Sequence, residues 1–275
     1  FQGGSTDSEA YFLAANTYYD AGQIEKAITY YQKAVSQKPY YIDAHDVLNK
    51  TLWEHGHHAA FMKSFDTAIL AFPDVIALRL RHSYFRILAG KLQDAADQLE
   101  ECLSIFGPNT RAYAELASVK KQLDKNFDAL PLYAKAYELN STDTNMLKTY
   151  GRSLIGAEQY ERAADILTEC KAIDATDQEC LAFLAACNTH VNPDEAKRVN
   201  NYEDLVQVFD VPAPAGYSTQ SAFNTALLKG LQPHHQTNAA PIDQTLVHGT
   251  QTHGMLFNKE SHEINLLENQ LRACI

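Results

Sequence analysis

The sequence predicts an all-α fold, a tandem array of two-helix units, and three observations carry that prediction. The first is self-similarity at a spacing of 34 residues. Stepping by that interval from Ala34 gives Ala68, Cys102, Ala136 and Cys170, all small; from Tyr31 it gives Phe65, Leu99, Tyr133 and Leu167, all large and apolar. Ala27, Phe61, Ala95, Ala129 and Ala163 form a third column, and Ala15, Asn49, Ser83, Ala117 and Gly151 a fourth. The second observation is phase. Residues three, four and seven apart share one helix face, so Tyr31 and Ala34 are presented together to a neighbouring helix. Small residues let helices approach closely while the large one fills the space beside the contact. The third is punctuation: Gly22, Gly56 and Gly90 supply the turn within each unit, and Pro39 and Pro73 close the first two units.

The first unit, residues 8–41, resembles the tetratricopeptide repeat at Tyr11, Ala15, Tyr18, Gly22, Ala27, Tyr31, Ala34 and Pro39. The resemblance implies a right-handed superhelix of about five repeats plus a terminal helix, over residues 7–190, with the first helix of each pair (helix A) lining a concave groove. Arg79 and Arg86 in repeat three and Lys120 in repeat four stand where large apolar residues are usual. A sixth helix A is expected from Gln178 to about Thr189, with Leu181, Leu184 and Ala185 in phase. Asn192-Pro193-Asp194 then breaks the period. Residues 191–216 are expected to form a capping helix and a linker.

Charge and composition exclude several functions. The formal charge is -11, from 23 basic and 34 acidic residues, which disfavours nucleic acid because phosphate binding needs concentrated Lys and Arg. No apolar stretch approaches the roughly 20 residues that span a bilayer. Five scattered cysteines without a C-x-x-C pair argue against a disulfide framework or zinc site; Cys102 and Cys170 occupy small-residue columns and read as packing. A reducing, cytoplasmic setting fits. Residues 1–5 read as the remnant of an expression tag.

In tetratricopeptide arrays the second, fifth, ninth, twelfth and thirteenth residues of a repeat face the groove. Here they include Glu9, Phe12, Asn16, Tyr19 and Asp20 in repeat one, and Asp43, Asp46, Lys50, Trp53 and Glu54 in repeat two. Tyr84 stands with Leu80, Ile87 and Leu88 in repeat three; Arg111 and Lys121 follow in repeat four, and Lys148 and Arg152 in repeat five. Acidic groups thus gather at one end and basic groups at the other. The expected ligand is an extended protein or peptide segment of complementary polarity; the alternative is that these are solvated faces of stacked helices. The carboxylate clamp of chaperone-binding arrays requires Lys where this chain has Phe12, although Asn16 matches it.

Beyond residue 190 the composition changes. Residues 202–211 read as a short amphipathic segment, and Pro212-Ala213-Pro214-Ala215-Gly216 as a stiff linker. Phe223, Ala226, Leu227 and Leu231 then share helical phase, as do Ile264, Leu267 and Leu271 near the end. Residues 202–216, Phe223-Asn224, Leu227 and above all residues 241–257 resemble a bacterial family in which such an array precedes a 2-oxoglutarate- and Fe(II)-dependent oxygenase domain, similar to prolyl hydroxylases. That resemblance implies that residues 217–275 begin an oxygenase-like domain, and that the parent protein uses Fe(II) and 2-oxoglutarate. Such enzymes hold iron with two His and a carboxylate, the first His preceding Asp or Glu by two residues. None of the 11 histidines here does so, and the matching segment lies upstream of where the iron motif would fall. No cofactor is therefore expected in this chain, which ends about where the catalytic sheet would begin.

His55-Gly56-His57-His58 falls at the turn of repeat two, and Pro233-His234-His235 and His248/His253 lie in the tail. A solvent-facing or structural role is expected at each rather than metal binding. There is no G-x-S-x-G, P-loop, dinucleotide fingerprint or H-E-x-x-H. The sequence therefore predicts a binding module, the recognition half of a larger hydroxylase. The alternatives are an unconventional iron site at His248, His253 or His262, and a self-associating scaffold.

Overall fold

A computed structural model describes residues 4–125, 127–235, 237, 239–240, 242, 249 and 254–274. The described residues are helical and contain no strand. The A helices are α1 (Gly4–Asp20), α3 (Ile42–Glu54), α5 (Ile76–Leu88), α7 (Thr110–Leu123), α9 (Thr144–Gly156) and α11 (Gln178–Val191). Each is followed by a helix B: α2 (Ile24–Gln37), α4 (Lys63–Ala71), α6 (Leu92–Phe106), α8 (Leu130–Leu139), α10 (Tyr160–Ile173) and α12 (Pro193–Val199). Successive helices pack in order, and α3, α5, α7, α9 and α11 also touch one another directly. An inner layer of A helices backed by B helices follows from those contacts, and the fold is a superhelical repeat array.

The repeat columns supply the core. Tyr31, Ala34, Phe65, Ala68, Leu99, Cys102, Tyr133, Ala136, Leu167 and Cys170 are all buried. The turn between helices A and B recurs with one hydrogen-bond pattern: Gly22 N–H donates to Tyr19 O and Gln23 N–H to Tyr18 O, and the pair repeats at Gly56/His57 and Gly90/Lys91. These glycines have φ of 71°, 79° and 74°, a region that costs other residues a clash of Cβ with backbone. In repeat five the position is Glu158, which takes φ 58°; its N–H donates to Ile155 O and the Gln159 N–H to Leu154 O.

Repeat two departs from the pattern. The other four members of the Ala27 column are alanines that are at most 3% exposed; the fifth is Phe61, too large for that contact. Helix α4 starts late, after Met62 in a left-handed conformation of φ 66°, as does α8 of repeat four, which starts at Leu130 with an alanine in that column. Asn49 is wholly buried in the small-residue column. Its side chain accepts the Met62 N–H at 2.6 Å and donates to Ser64 Oγ and His45 O. The rings of His45 and His82 both stack on Phe65, with centroids at 4.8 and 5.7 Å.

Arg79, Arg86 and Lys120 occupy apolar slots by reaching the neighbouring B helix. Arg79 pairs with Glu101, Arg86 donates to Asp94 O, and Lys120 pairs with Glu100. Asn192-Pro193 ends α11 and also begins α12: the Asn192 side chain caps the Glu195 N–H, and Pro193 takes the first helical position. The break in period is thus a shortened helix B. Helix α1 starts at Gly4, so two of the five residues read as a tag remnant are helical.

In the tail, residues 202–211 form one helical turn, α13 (Tyr202–Leu205), and then exposed extended chain. Helices α14 (Gln220–Leu231) and α15 (His262–Arg272) pack together, burying Phe223 and Ile264 completely. Tyr217 lies against Phe223 and donates to Glu263, while Gln270 of α15 donates to Pro212 O in the linker.

Candidate groove of the array

Between α5, α7 and α9 the inner layer opens into a cavity of about 550 Å³, walled by Arg81, Tyr84, Arg111, Glu115, Met146 and Arg152 among others. A second cavity of about 520 Å³ shares Ser118, Thr149 and Arg152 with it and continues to Lys121, Phe127 and Tyr133. The second lies between α7, α8 and α9, and the two adjoin at the three shared residues.

Its charges are organised by pairs. Arg81 bridges α5 to α3 through Asp46, with both oxygens engaged at 2.7 and 2.5 Å, and its guanidinium lies 4.2 Å from the Tyr84 ring centre. Arg111 holds Glu115 one turn on at 2.6 Å. Burial pushes the Glu115 carboxyl upward, and Arg111 and Arg81 oppose that shift; its Oε2 is buried without a hydrogen-bond partner among the described residues. Lys148 is committed to Asp177 and Glu179 of α11 at 2.8 and 3.0 Å. Lys121 donates to Phe127 O from an exposed position, and Arg152 is exposed on the wall shared by both cavities.

At the other end Glu9, Asp20 and Asp43 are exposed. Glu54 is only 6% exposed and accepts from Tyr19. Burial first, and the Glu54 charge second, raise the Tyr19 hydroxyl far above its ordinary value. Asn16 accepts from Tyr31 at 2.7 Å, and Phe12 packs between Tyr31 and Tyr41. Lys50 is half-buried. Trp53 lies beside Phe61 and His58, and its indole N–H donates to Ala240 O of the tail at 3.2 Å.

Much of the charge chosen by repeat position is therefore spent on pairs within the array, Arg111 with Glu115 among them, which leaves Glu9, Asp20 and Asp43 exposed at one end and Lys121 and Arg152 exposed at the other. Arg81 and Glu115 were not singled out by sequence. Both occupy the sixth position of their repeats, one repeat apart, where repeats one, two and five carry Leu13, Val47 and Thr149. Charge appearing in that column was the available signal.

The turn histidines diverge. His57 meets Glu25 of α2 at 3.1 Å, while His58 lies edge-on to Trp53. Among the described residues no three His, Cys, Asp or Glu side chains form a metal-binding group. His262 begins α15 and is exposed; His248 and His253 lie outside the described residues, as does most of 241–257. No described helix is long and apolar enough to cross a membrane.

Comparison with known proteins agrees with this geometry. The family model of the tetratricopeptide repeat matches residues 8–41. Yeast Tom70 superposes with a TM-score of 0.55 at 15% identity, over 73% of this chain and 42% of that one. A tetratricopeptide-repeat protein of Thermus thermophilus gives 0.50 at 14% identity, over 66% of this chain and 99% of that one. The fold is a tetratricopeptide-type array. Pseudomonas aeruginosa PilF is also similar, with a TM-score of 0.53 at 17% identity, over 73% of this chain and 95% of that one. No curated protein matches by sequence.

Proposed function

We infer that the chain is a protein-interaction module whose inner furrow takes an extended segment of a partner, with acidic side chains seated toward repeats four and five. The observation that carries this is the pair of adjoining cavities, one between α5, α7 and α9 and one between α7, α8 and α9, where Arg152 and Lys121 stand exposed. An exposed guanidinium on a concave wall offers a carboxylate two parallel hydrogen bonds, and the wall restricts competing water. Glu9, Asp20 and Asp43 would favour basic residues at the opposite end of the same segment. Fluorescence anisotropy with a short Glu-rich peptide tests the reading. Arg152→Glu with Lys121→Glu should weaken binding by about tenfold or more, in a salt-dependent manner. Equal affinity for the two chains overturns it.

The narrower reading, in which the array selects substrates for a 2-oxoglutarate- and Fe(II)-dependent hydroxylase, draws support only from the resemblance of residues 202–216 and 241–257. An anaerobic calorimetric titration with Fe(II) and 2-oxoglutarate distinguishes the two roles. Stoichiometric uptake by this chain would replace the recognition role with an unconventional iron site in the tail.

A further inference from the structure

Trp53 is the only tryptophan in the chain, and it sits at a groove-facing position of α3. Its indole N–H is satisfied by the carbonyl of Ala240, 187 residues away in sequence. Two residues beyond Ala240, Ile242 is 8% exposed and belongs to a buried cluster with Met62, Phe65 and Phe85, against which Trp53, Tyr84 and Leu88 also pack. A backbone carbonyl read by an indole and an aliphatic side chain sunk in an apolar seat are contacts by which a groove can hold a peptide segment, here with Ile242 in a turn.

The seat exists because repeat two is irregular. Phe61, excluded from the close contact that alanine makes elsewhere, lies 5.1 Å from Trp53, and the first turn of helix B gives way to the loop ending at Met62. Met62 is 6% exposed and joins the cluster that encloses Ile242. The other repeats carry alanine at the Phe61 position.

We propose that Trp53 and the adjoining apolar cluster form an anchor subsite for a protein segment with a small residue followed two positions later by an aliphatic one. The chain's own segment around Ala240 and Ile242 fills that subsite in cis, and a partner of the same chemistry must displace it. The tail then acts as a tethered competitor, whose advantage is its high local concentration. This rests on the groove reading above and adds the chemistry of one end of the ligand.

The test uses the full chain and two probes: a labelled peptide with the sequence of residues 235–245, and the Glu-rich peptide. Ile242→Asp should shift the emission of Trp53 to longer wavelength and strengthen binding of the labelled tail peptide by about tenfold. Ile242→Ala should act in the same direction and more weakly. In the Ile242→Asp chain, adding Trp53→Phe keeps an aromatic ring, removes the N–H donor, and should lose the gain. Unchanged Trp53 emission in both Ile242 variants, or equal tail-peptide affinity for the wild-type and Ile242→Asp chains, overturns the proposal. The Glu-rich peptide should bind all these chains alike. Its failure to bind any of them removes the basic-end reading and leaves the anchor subsite standing on the tail-peptide result.

Discussion

In repeat five, Gly151 of α9 lets α10 come so close that a Cβ placed there would stand 2.7 Å from Leu167 Cγ. In repeat two the same column holds Asn49, whose amide makes two hydrogen bonds to the start of a helix B that has lost its first turn and a third to His45 O of its own helix. One repeat is joined by shape and the other by polar contacts around an aromatic that does not fit the regular pattern. Shape complementarity needs no partner to be deprotonated or oriented, whereas a buried polar cluster depends on every member being satisfied. The two repeats should therefore fail differently.

Gly151→Val should have the largest effect. Leu167 has no free space to enter, so the helices must separate, at a cost of about 3 kcal/mol; urea denaturation followed by circular dichroism measures it. Asn49→Ala orphans the Met62 N–H and should cost about 2 kcal/mol in the same assay. A loss below a third of that would show that the loop finds other partners.

Acid should act on the side of the molecule around repeat two. His82 is 2% exposed, and burial, with Arg86 and Lys91 adding repulsion, pushes its pKa down to about 3. Asp66, 3.6 Å away but largely solvated, does not offset this. The pKa of His45 is also lowered by burial. Above about pH 6.5, the ordinary value, His82 is neutral whether folded or not. Between there and pH 3 the unfolded chain takes up a proton that the folded chain refuses, so stability falls with pH. At pH 5.5 the loss from His82 should be about 1.5 kcal/mol. Hydrogen exchange at that pH should show α4 and α5 opening before α9 and α10; the reverse order contradicts the assignment. The smallest effect is a gain. Glu158→Gly relieves the left-handed φ at the repeat-five turn and should stabilise by roughly 0.5–1 kcal/mol, read as a raised midpoint.

The same contrast explains what could be read in the sequence. Columns of small and large residues spaced by one repeat length report packing directly, and they located the A and B helices because each unit makes the same contacts. Asn49 looked like a tolerated member of a small column, since nothing local shows that its amide closes a distorted loop. Phe61 stood out in an alanine column, but a late start of helix B does not follow from it, because α8 starts late beside Ala129 as well. In the groove, position within the repeat selected a face but not which charges were spoken for. Asp46 and Lys148 find their partners on adjacent A helices, 35 and 29 residues onward at Arg81 and Asp177. The contact between Trp53 and Ala240 joins a periodic region to an aperiodic one, and no pattern in either announces it.

That contact also sets an order of events. Each pair of helices in the array docks on its predecessor, so assembly can follow the chain as it emerges from the ribosome, N-terminal repeats first. Residue 240 is synthesised after the whole array, and joining it to residue 53 closes the longest loop among the described contacts at a correspondingly high entropic cost. The nascent protein therefore passes through a stage in which every repeat is folded and Trp53 is still uncovered. A partner present at the site of translation meets a vacant seat, while one that arrives later meets a competitor already in place.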